Sequence, residues 1–196
     1  PIALGLLEAF ARVGGKGVAA PSANRFGNVS PTTAQAVVDE LCKYLASGDQ
    51  ILDGGACDVG VESTIIDCTG EFPNILRPGA ITEEMISYVT KLNVLESAGE
   101  VIRVSGSLES HYAPKALVLL DQTPFPGQGF IALREVQHEV GVVRLASPKT
   151  PEDFARELYS ALRKADELGI REVVVHQPKH FGIGIAIRDR LKRAAK

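Results

Sequence analysis

Apolar residues recur at helical spacing in five stretches of the chain, and each stretch predicts an amphipathic helix. The first predicted helix, 2–13, ends at the glycine pair 14–15. The second is expected to start at Ser30 and Pro31. Ser30 would be its N-cap, and Pro31 would occupy the first helical position, where a missing N–H costs nothing. The remaining three helices are predicted over 82–89 (Thr82 as cap), 150–167 (Thr150 as cap) and 184–195.

Shorter apolar runs between these helices predict β-strands. In the first half of the chain they are 50–52 and 74–76, and in the second half they are 116–120, 130–133, 140–144 and 172–176. Because strands alternate with helices in the second half, the pattern predicts a small α/β domain with a partly parallel sheet. The polar stretch 96–115 between the halves is typical of a linker.

Two loops of small residues are the candidate binding segments. One runs from Ala19 to Thr33 and the other from Asp53 to Thr64. Small side chains before a helix start allow an anion to approach the backbone N–H groups closely. The plainer alternative is a capped helix that follows a polar turn.

The side chains that suit an anion on these loops are three serine hydroxyls and one guanidinium. They belong to Ser22, Ser30, Ser63 and Arg77. A hydrogen bond to a charged group contributes about 1.5–3 kcal/mol, so a few such contacts can hold a phosphate or carboxylate ligand. Neither the P-loop lysine motif nor the G-x-G-x-x-G motif is present.

Composition and charge argue against two functional classes, general nucleic-acid binders and membrane-spanning proteins. The net charge is −3 with 45% hydrophobic residues, which favours a globular core and gives no general attraction to nucleic acid. No apolar run reaches the roughly 20 residues that span a bilayer, so we expect a soluble protein without a membrane partner. The three cysteines, which lack the spacing of a disulfide framework or a zinc site, favour a cytoplasmic setting. The chain opens on Pro1 and enters a helical pattern without a cap, which predicts a fragment that begins midway through a domain.

Acidic residues on the second loop raise the question of a metal. Asp53, Asp58 and Glu62 have the oxygen chemistry for a magnesium ion bound through water, but acids on such a loop are more typical of a solvated edge. We therefore predict no metal ligands. The three cysteines lack C-x-x-C spacing and are expected to be reduced thiols.

Five short motifs in order give the chain a resemblance to the YrdC-related family, and in particular to its longer two-domain members, the threonylcarbamoyl-AMP synthases. The motifs are Ala20–Asn24 with Ser30-Pro31-Thr32, Asp53-Gly54-Gly55 with Glu62-Ser63-Thr64-Ile65, Leu76-Arg77-Pro78-Gly79, His111-Tyr112-Ala113-Pro114, and 182–187 with Asp189-Arg190-Leu191. The resemblance covers essentially the whole chain.

The resemblance implies an α/β fold in three parts. Residues 1–95 would be the C-terminal part of a YrdC-like twisted α/β sheet domain, residues 96–115 a linker, and residues 116–196 a small Rossmann-like α/β domain.

The resemblance also implies a reaction. ATP, L-threonine and bicarbonate would give threonylcarbamoyl-adenylate and pyrophosphate, for the threonylcarbamoyladenosine modification of tRNA by downstream machinery, and Mg²⁺ would enter with ATP. Threonine would contact the Ala20 backbone and Ser63. ATP would contact Ser22, Asn24, Ser30, Arg77 and Tyr112. Family members have a longer first domain, so we expect the chain as given to lack full synthase activity.

Two alternatives belong to other functional classes. One is a non-catalytic module that binds double-stranded RNA or a nucleotide, as YrdC-like domains resemble double-stranded RNA binders. The net charge of −3 counts against RNA, because phosphate-driven binding needs clustered Lys and Arg. The other alternative is that 116–196 is a regulatory or docking domain whose helices meet a partner.

Overall fold

The structure is a computed structural model, and it describes residues 2–96 and 112–195. The chain divides into two compact units. The first unit comprises Pro1–Phe26 and Ser30–Cys57, and the second comprises Gly27–Val29 and Asp58–Lys196. Most of the predicted linker, residues 97–111, lies outside the described residues.

The first unit contains two helices, α1 (Ile2–Arg12) and α2 (Ala34–Leu41). Helix α1 matches the prediction, but none of its residues is buried. Its apolar face is exposed: Leu4 is 65% exposed and Leu6 52%. Among the described residues of this unit, only Thr32 is buried, so the first unit has no apolar core of its own.

The predicted start of α2 at Ser30 is wrong. Thr33 is the N-cap: its backbone is extended, and its hydroxyl accepts a hydrogen bond from the Ala36 N–H at 3.1 Å. The preceding backbone is engaged elsewhere, because the Thr32 carbonyl accepts from the Cys57 N–H at 2.9 Å. The helix therefore begins only after Thr33, and Thr33 rather than Ser30 caps it.

The predicted strand at 50–52 is also absent from the described structure. A short apolar run becomes a strand only where a neighbouring strand supplies hydrogen bonds, and here Leu52 is 53% exposed. The run leads into a turn in which the Asp53 carboxylate accepts from the Gly55 N–H at 2.9 Å.

The second unit begins with a three-stranded sheet formed by β1 (Ile65–Asp67), β2 (Asn74–Arg77) and β3 (Leu95–Glu96). Strands β1 and β2 are antiparallel, with Ile65 opposite Arg77, and β3 is parallel to β2. Helix α3 (Glu83–Thr90) connects β2 to β3 and starts at the predicted cap, Thr82.

A four-stranded sheet follows, in the order β4-β7-β5-β6, and all of its pairs are parallel. Its strands are β4 (Leu117–Leu120), β5 (Gly129–Ile131), β6 (Val143–Ala146) and β7 (Glu172–Val175). The predicted α/β pattern is confirmed, and the sheet, predicted to be partly parallel, is wholly parallel. Strand β6 begins three residues later than predicted, because Gly141 has a φ of 90° in the turn before it.

Two helices cover this sheet. Helix α4 (Pro151–Glu167) packs on β5 and β6, and α5 (Ile183–Ala194) packs on β4 and α4. Thr150 caps α4 as predicted, accepting from the Asp153 N–H at 3.1 Å. The buried side chains of α4 and α5 form the main core together with the strands. Within the described ranges, no helix has the length and apolarity to cross a membrane.

Candidate functional site

Ser63 and Arg77 lie side by side in the second unit. Ser63 precedes β1 and Arg77 ends the antiparallel neighbour β2. The Arg77 guanidinium donates from Nη2 to the Ser63 hydroxyl at 3.1 Å, and from Nε and Nη2 to the Ser63 carbonyl at 3.1 and 2.9 Å. Arg77 is 7% exposed, whereas Ser63 is exposed. The pair therefore presents a hydroxyl to solvent with its position fixed by a buried cation.

A hydroxyl that accepts one hydrogen bond still carries a proton to donate. The Ser63 hydroxyl can therefore donate to a carboxylate or phosphate oxygen while Arg77 holds it from the other side. A hydrogen bond from this hydroxyl to an anion is charge-assisted, because an ionised acceptor makes the bond shorter and stronger than a neutral one, and the nearby positive charge of Arg77 also attracts the anion. The pair suits an anionic ligand.

Close backbone packing fixes the segments that carry this pair. A Cβ on Gly79 would lie 2.4 Å from the Thr64 nitrogen and 2.6 Å from the Glu62 carbonyl oxygen. Only glycine permits that approach. The Thr64 hydroxyl also donates to the Ile81 carbonyl at 2.7 Å, which ties the same two segments again.

A polar cluster lies beside the pair, and we call it the Glu62 cluster. It consists of the half-buried Glu62 and the buried Tyr112, Tyr159 and Arg190. The Glu62 carboxylate accepts from Arg190 Nε at 2.7 Å and from the Tyr159 hydroxyl at 2.9 Å. The Tyr112 ring stacks on Tyr159 at a centroid distance of 5.8 Å, and the Arg190 guanidinium lies 5.5 Å from the Tyr112 centroid. Arg190 also donates to the Pro78 carbonyl at 2.9 Å and contacts Asp189.

The cluster shifts the protonation of its own members. Burial raises the pKa of Tyr159 well above its ordinary value, and the negative charge of Glu62 acts in the same direction. Burial and Glu62 likewise raise the pKa of Tyr112. For Arg190, burial is the largest single effect and lowers the pKa, but Glu62, Tyr159 and Asp189 together outweigh it, so the net pKa is raised. Arg190 is therefore a permanent cation and the two tyrosines are neutral donors.

The seven predicted contact residues divide between the two units. Ala20, Ser22, Asn24 and Ser30 belong to the first unit, and Ser63, Arg77 and Tyr112 belong to the second. Ala20 and Ser22 are exposed, whereas Asn24 and Ser30 are half-buried. The structure brings Ser63 together with Arg77 and places Tyr112 in the Glu62 cluster. The assignment of these seven residues to threonine and ATP stays a prediction.

The first candidate loop, Ala19–Thr33, is itself divided between the units, because Gly27–Val29 belong to the second. The Ala113 N–H donates to the Gly27 carbonyl at 3.0 Å, and Arg163 donates to the Val29 carbonyl. Val29 is 4% exposed and joins the same buried cluster as Tyr112. The end of the predicted linker is therefore anchored to the middle of this loop.

The described residues offer no dedicated metal site. Between 2–96 and 112–195, no group of three His, Cys, Asp or Glu side chains is placed to hold an ion. The Glu62 carboxylate, one of the three acids considered for magnesium, is engaged by Arg190 and Tyr159. Cys42, Cys57 and Cys68 are free and exposed.

Sequence reasoning did not find the roles of Arg190 and Tyr159. A usable signal was present in α5, where Ile187, Leu191 and Ala194 define an apolar face on which Arg190 also falls. A charged residue on such a face must be paired, because an unpaired buried charge is costly. Nothing in the sequence identified its partner, Glu62, 128 residues away.

Two family models match the chain. The model described as "Threonylcarbamoyl-AMP synthase, C-terminal domain" matches residues 81–196, and the model described as "Telomere recombination" matches residues 1–79. Curated proteins are similar as well. The chain is 34% identical over its whole length to a threonylcarbamoyl-AMP synthase of Bacillus subtilis and 32% identical over 99% of its length to one of Pyrococcus abyssi. The chain spans 60% and 61% of those two proteins.

Solved structures give the same picture. The crystal structure of P. abyssi Sua5 complexed with L-threonine superimposes with a TM-score of 0.74 at 29% identity, covering 89% of this chain and 56% of that one. A double-substituted variant of the same protein superimposes with a TM-score of 0.69 at 28% identity over the same shares of the two chains. The chain shares its α/β fold with these structures. Because two models of the family also match residues 1–79 and 81–196, the chain belongs to the Sua5/YrdC family.

Proposed function

We propose that this chain contributes to the synthesis of threonylcarbamoyl-adenylate from ATP, L-threonine and bicarbonate, with release of pyrophosphate. The observation that carries the proposal is the Ser63–Arg77 pair, an exposed hydroxyl fixed by a buried guanidinium. The names of the relatives and the L-threonine in the P. abyssi crystal structure support the choice of reaction and of one substrate.

The proposed chemistry has two steps. The threonine amine attacks the carbon of bicarbonate, a C–N bond forms, and water leaves to give a carbamate. A carbamate oxygen then attacks the α-phosphorus of ATP, and the P–O bond to pyrophosphate breaks. Both steps depend on holding anionic reactants in contact, so positioning and charge compensation are the main tasks of the protein.

Ser63 and Arg77 have complementary roles in this proposal. The Ser63 hydroxyl donates to threonine, while Arg77 fixes that hydroxyl and compensates negative charge on the ATP phosphates. The Ala20 backbone would supply a second threonine contact. Further ATP contacts would come from Ser22, Asn24, Ser30 and Tyr112.

Other participants follow from the reaction. Mg²⁺ enters with ATP as part of that substrate. The product would pass to downstream machinery that modifies tRNA. A cytoplasmic location fits a protein that draws on ATP and serves tRNA.

Ligand-induced stabilisation tests the proposal on the chain as it exists. L-Threonine and MgATP should each raise the melting temperature of the wild-type chain, because a ligand that binds only the folded state stabilises it. Arg77→Met should abolish both shifts. Arg144→Met is the matched control, since Arg144 also donates to several carbonyls, at Ala132, Val136 and Ala146. It should lower the melting temperature but keep both ligand shifts.

Two results of this experiment would contradict the proposal. One is a wild-type chain whose melting temperature responds to neither ligand, and the other is an Arg77→Met variant that responds as the wild type does. Threonine-dependent release of pyrophosphate, measured on the same samples, reports how much of the complete reaction this chain carries out.

A further inference from the structure

Arg190 forms hydrogen bonds with the residues next to the Ser63–Arg77 pair in the sequence. Its Nε donates at 2.7 Å to Glu62, the residue before Ser63, and its Nη2 donates at 2.9 Å to the carbonyl of Pro78, the residue after Arg77. Arg190 itself lies on α5, far along the sequence, and its side chain is 0% exposed. One buried guanidinium therefore links the two segments that carry the pair.

Helix α4 contacts one of these segments, the one that leads to Ser63. The Tyr159 hydroxyl donates to Glu62, and Arg156 Nε donates to the Asp58 carbonyl at 3.0 Å. Gly60 approaches α4 so closely that a Cβ there would lie 2.3 Å from the Ala155 carbonyl oxygen. Both helices that cover the four-stranded sheet thus support the segment from Asp58 to Ser63.

The chemistry of arginine suits this linking role. Its planar fork donates in several directions at once, so it can bind a carboxylate and a carbonyl together. Lysine has a single charged nitrogen and cannot reproduce that geometry. Because Arg190 is fully buried, removing it takes a charged donor from the Glu62 carboxylate and a donor from the Pro78 carbonyl.

We propose that Arg190 is a positioning residue for the substrate-binding pair, which it orders by tying Glu62 to Pro78 so that Ser63 and Arg77 stay in register. The inference rests on the proposed function, in which this pair contacts the substrates. It gives the C-terminal α/β domain a role in the synthase site that is separate from docking a partner.

Two measurements on the purified chain test this role. The first is hydrogen exchange of peptides covering residues 60–66 and 76–80, and the second is the Kd for L-threonine by calorimetry. In Arg190→Gln, both segments should exchange faster, and the Kd should rise about tenfold or more, as expected when a buried charge contact is lost. Arg190→Lys should keep part of the attraction to Glu62 but lose the Pro78 contact, so its Kd should lie in between.

Arg144→Gln is the matched control for general destabilisation. It removes four hydrogen bonds from Arg144 to backbone carbonyls within the four-stranded sheet and its loops. We expect it to lower the unfolding midpoint while leaving threonine affinity and the exchange of 60–66 at wild-type values.

The outcomes separate this inference from the proposed function. If the wild type does not bind threonine, the proposed function is wrong, and unchanged exchange in Arg190→Gln would overturn the positioning role by itself. If the wild type binds and folded Arg190→Gln binds equally well, the inference is overturned. Should Arg190→Gln not fold, Glu62→Gln decides the matter, because wild-type affinity in that variant would contradict the link through Glu62.

Discussion

Buried guanidinium groups need a partner for nearly every donor, and two arginines of the second unit meet that requirement at adjacent places. Arg77 is satisfied by the carbonyl and hydroxyl of Ser63, and Arg190 by Glu62, Asp189 and the Pro78 carbonyl. The first arrangement leaves an exposed hydroxyl available to a ligand. The donors of Arg190 are all buried and cannot reach a ligand, so we assign Arg190 to positioning rather than to binding.

A prediction at this scale concerns Tyr159. Replacing it by Phe removes a hydrogen bond to the Glu62 carboxylate, so the free energy of unfolding should fall by about 1.5–3 kcal/mol at pH 8. The variant should also lose less stability when the pH is raised. In the wild type, the folded-state pKa of Tyr159 is raised, so its contribution is complete below the unfolded pKa of about 10 and is lost as the pH rises above it.

Urea unfolding at pH 8 and pH 11 measures both effects. The difference in free energy of unfolding between the two pH values should be smaller for Tyr159→Phe than for the wild type. Tyr112, whose pKa is also raised, keeps part of the dependence in both proteins. Parallel losses in the two proteins would show that Tyr159 does not titrate in the expected way.

At the scale of elements, the two halves of the chain differ in how their helices are used. Helix α4 buries seven residues, among them Phe154 and Leu158, whereas α1 buries none. The apolar face of α1 has the periodicity of a core helix, but in the described structure that face is exposed. The stability of the described structure therefore depends mainly on the second unit.

This difference predicts a large loss of stability for one leucine substitution and almost none for another. Leu158→Ala in α4 should lower the free energy of unfolding by about 2–5 kcal/mol, because Leu158 is fully buried. Leu7→Ser in α1 should change it by less than about 0.5 kcal/mol, because Leu7 is 45% exposed. Chemical denaturation monitored by circular dichroism compares them directly, and an equal cost for both would contradict the assignment of the core.

Elements that depend on local signals could be predicted from the sequence, whereas elements that depend on distant partners could not. Helices α4 and α5 could be predicted because periodicity, and for α4 its cap at Thr150, are local signals. The prediction of a strand at 50–52 was wrong because a strand needs a neighbouring strand, which the sequence does not specify. The start of α2 was misplaced because two hydroxyl residues, Ser30 and Thr33, are both chemically suitable caps.

The candidate site shows the same limit. Ser63 and Arg77 could be proposed together because they lie on neighbouring segments with suitable chemistry, and the structure places them 3.1 Å apart. The link from Arg190 to Glu62 crosses 128 residues and depends on tertiary packing. No local pattern connects such residues, so only the structure identifies the pair.

At the scale of the whole molecule, the chain is a member of the Sua5/YrdC family that spans 60% and 61% of the Bacillus and Pyrococcus relatives. Its second unit contains the Ser63–Arg77 pair, the Glu62 cluster and the parallel α/β sheet. The proposed function and the positioning role of Arg190 both depend on one claim, that Ser63 presents its hydroxyl to threonine.

Calorimetric titration of L-threonine into the chain tests that claim most directly. Ser63→Ala should raise the Kd about tenfold or more, because it removes a hydrogen bond to a charged ligand. Ser160→Ala should keep the wild-type Kd, because that hydroxyl is exposed on α4 and donates to the Glu157 carbonyl. Wild-type affinity in Ser63→Ala, or equal weakening in both variants, would contradict the account.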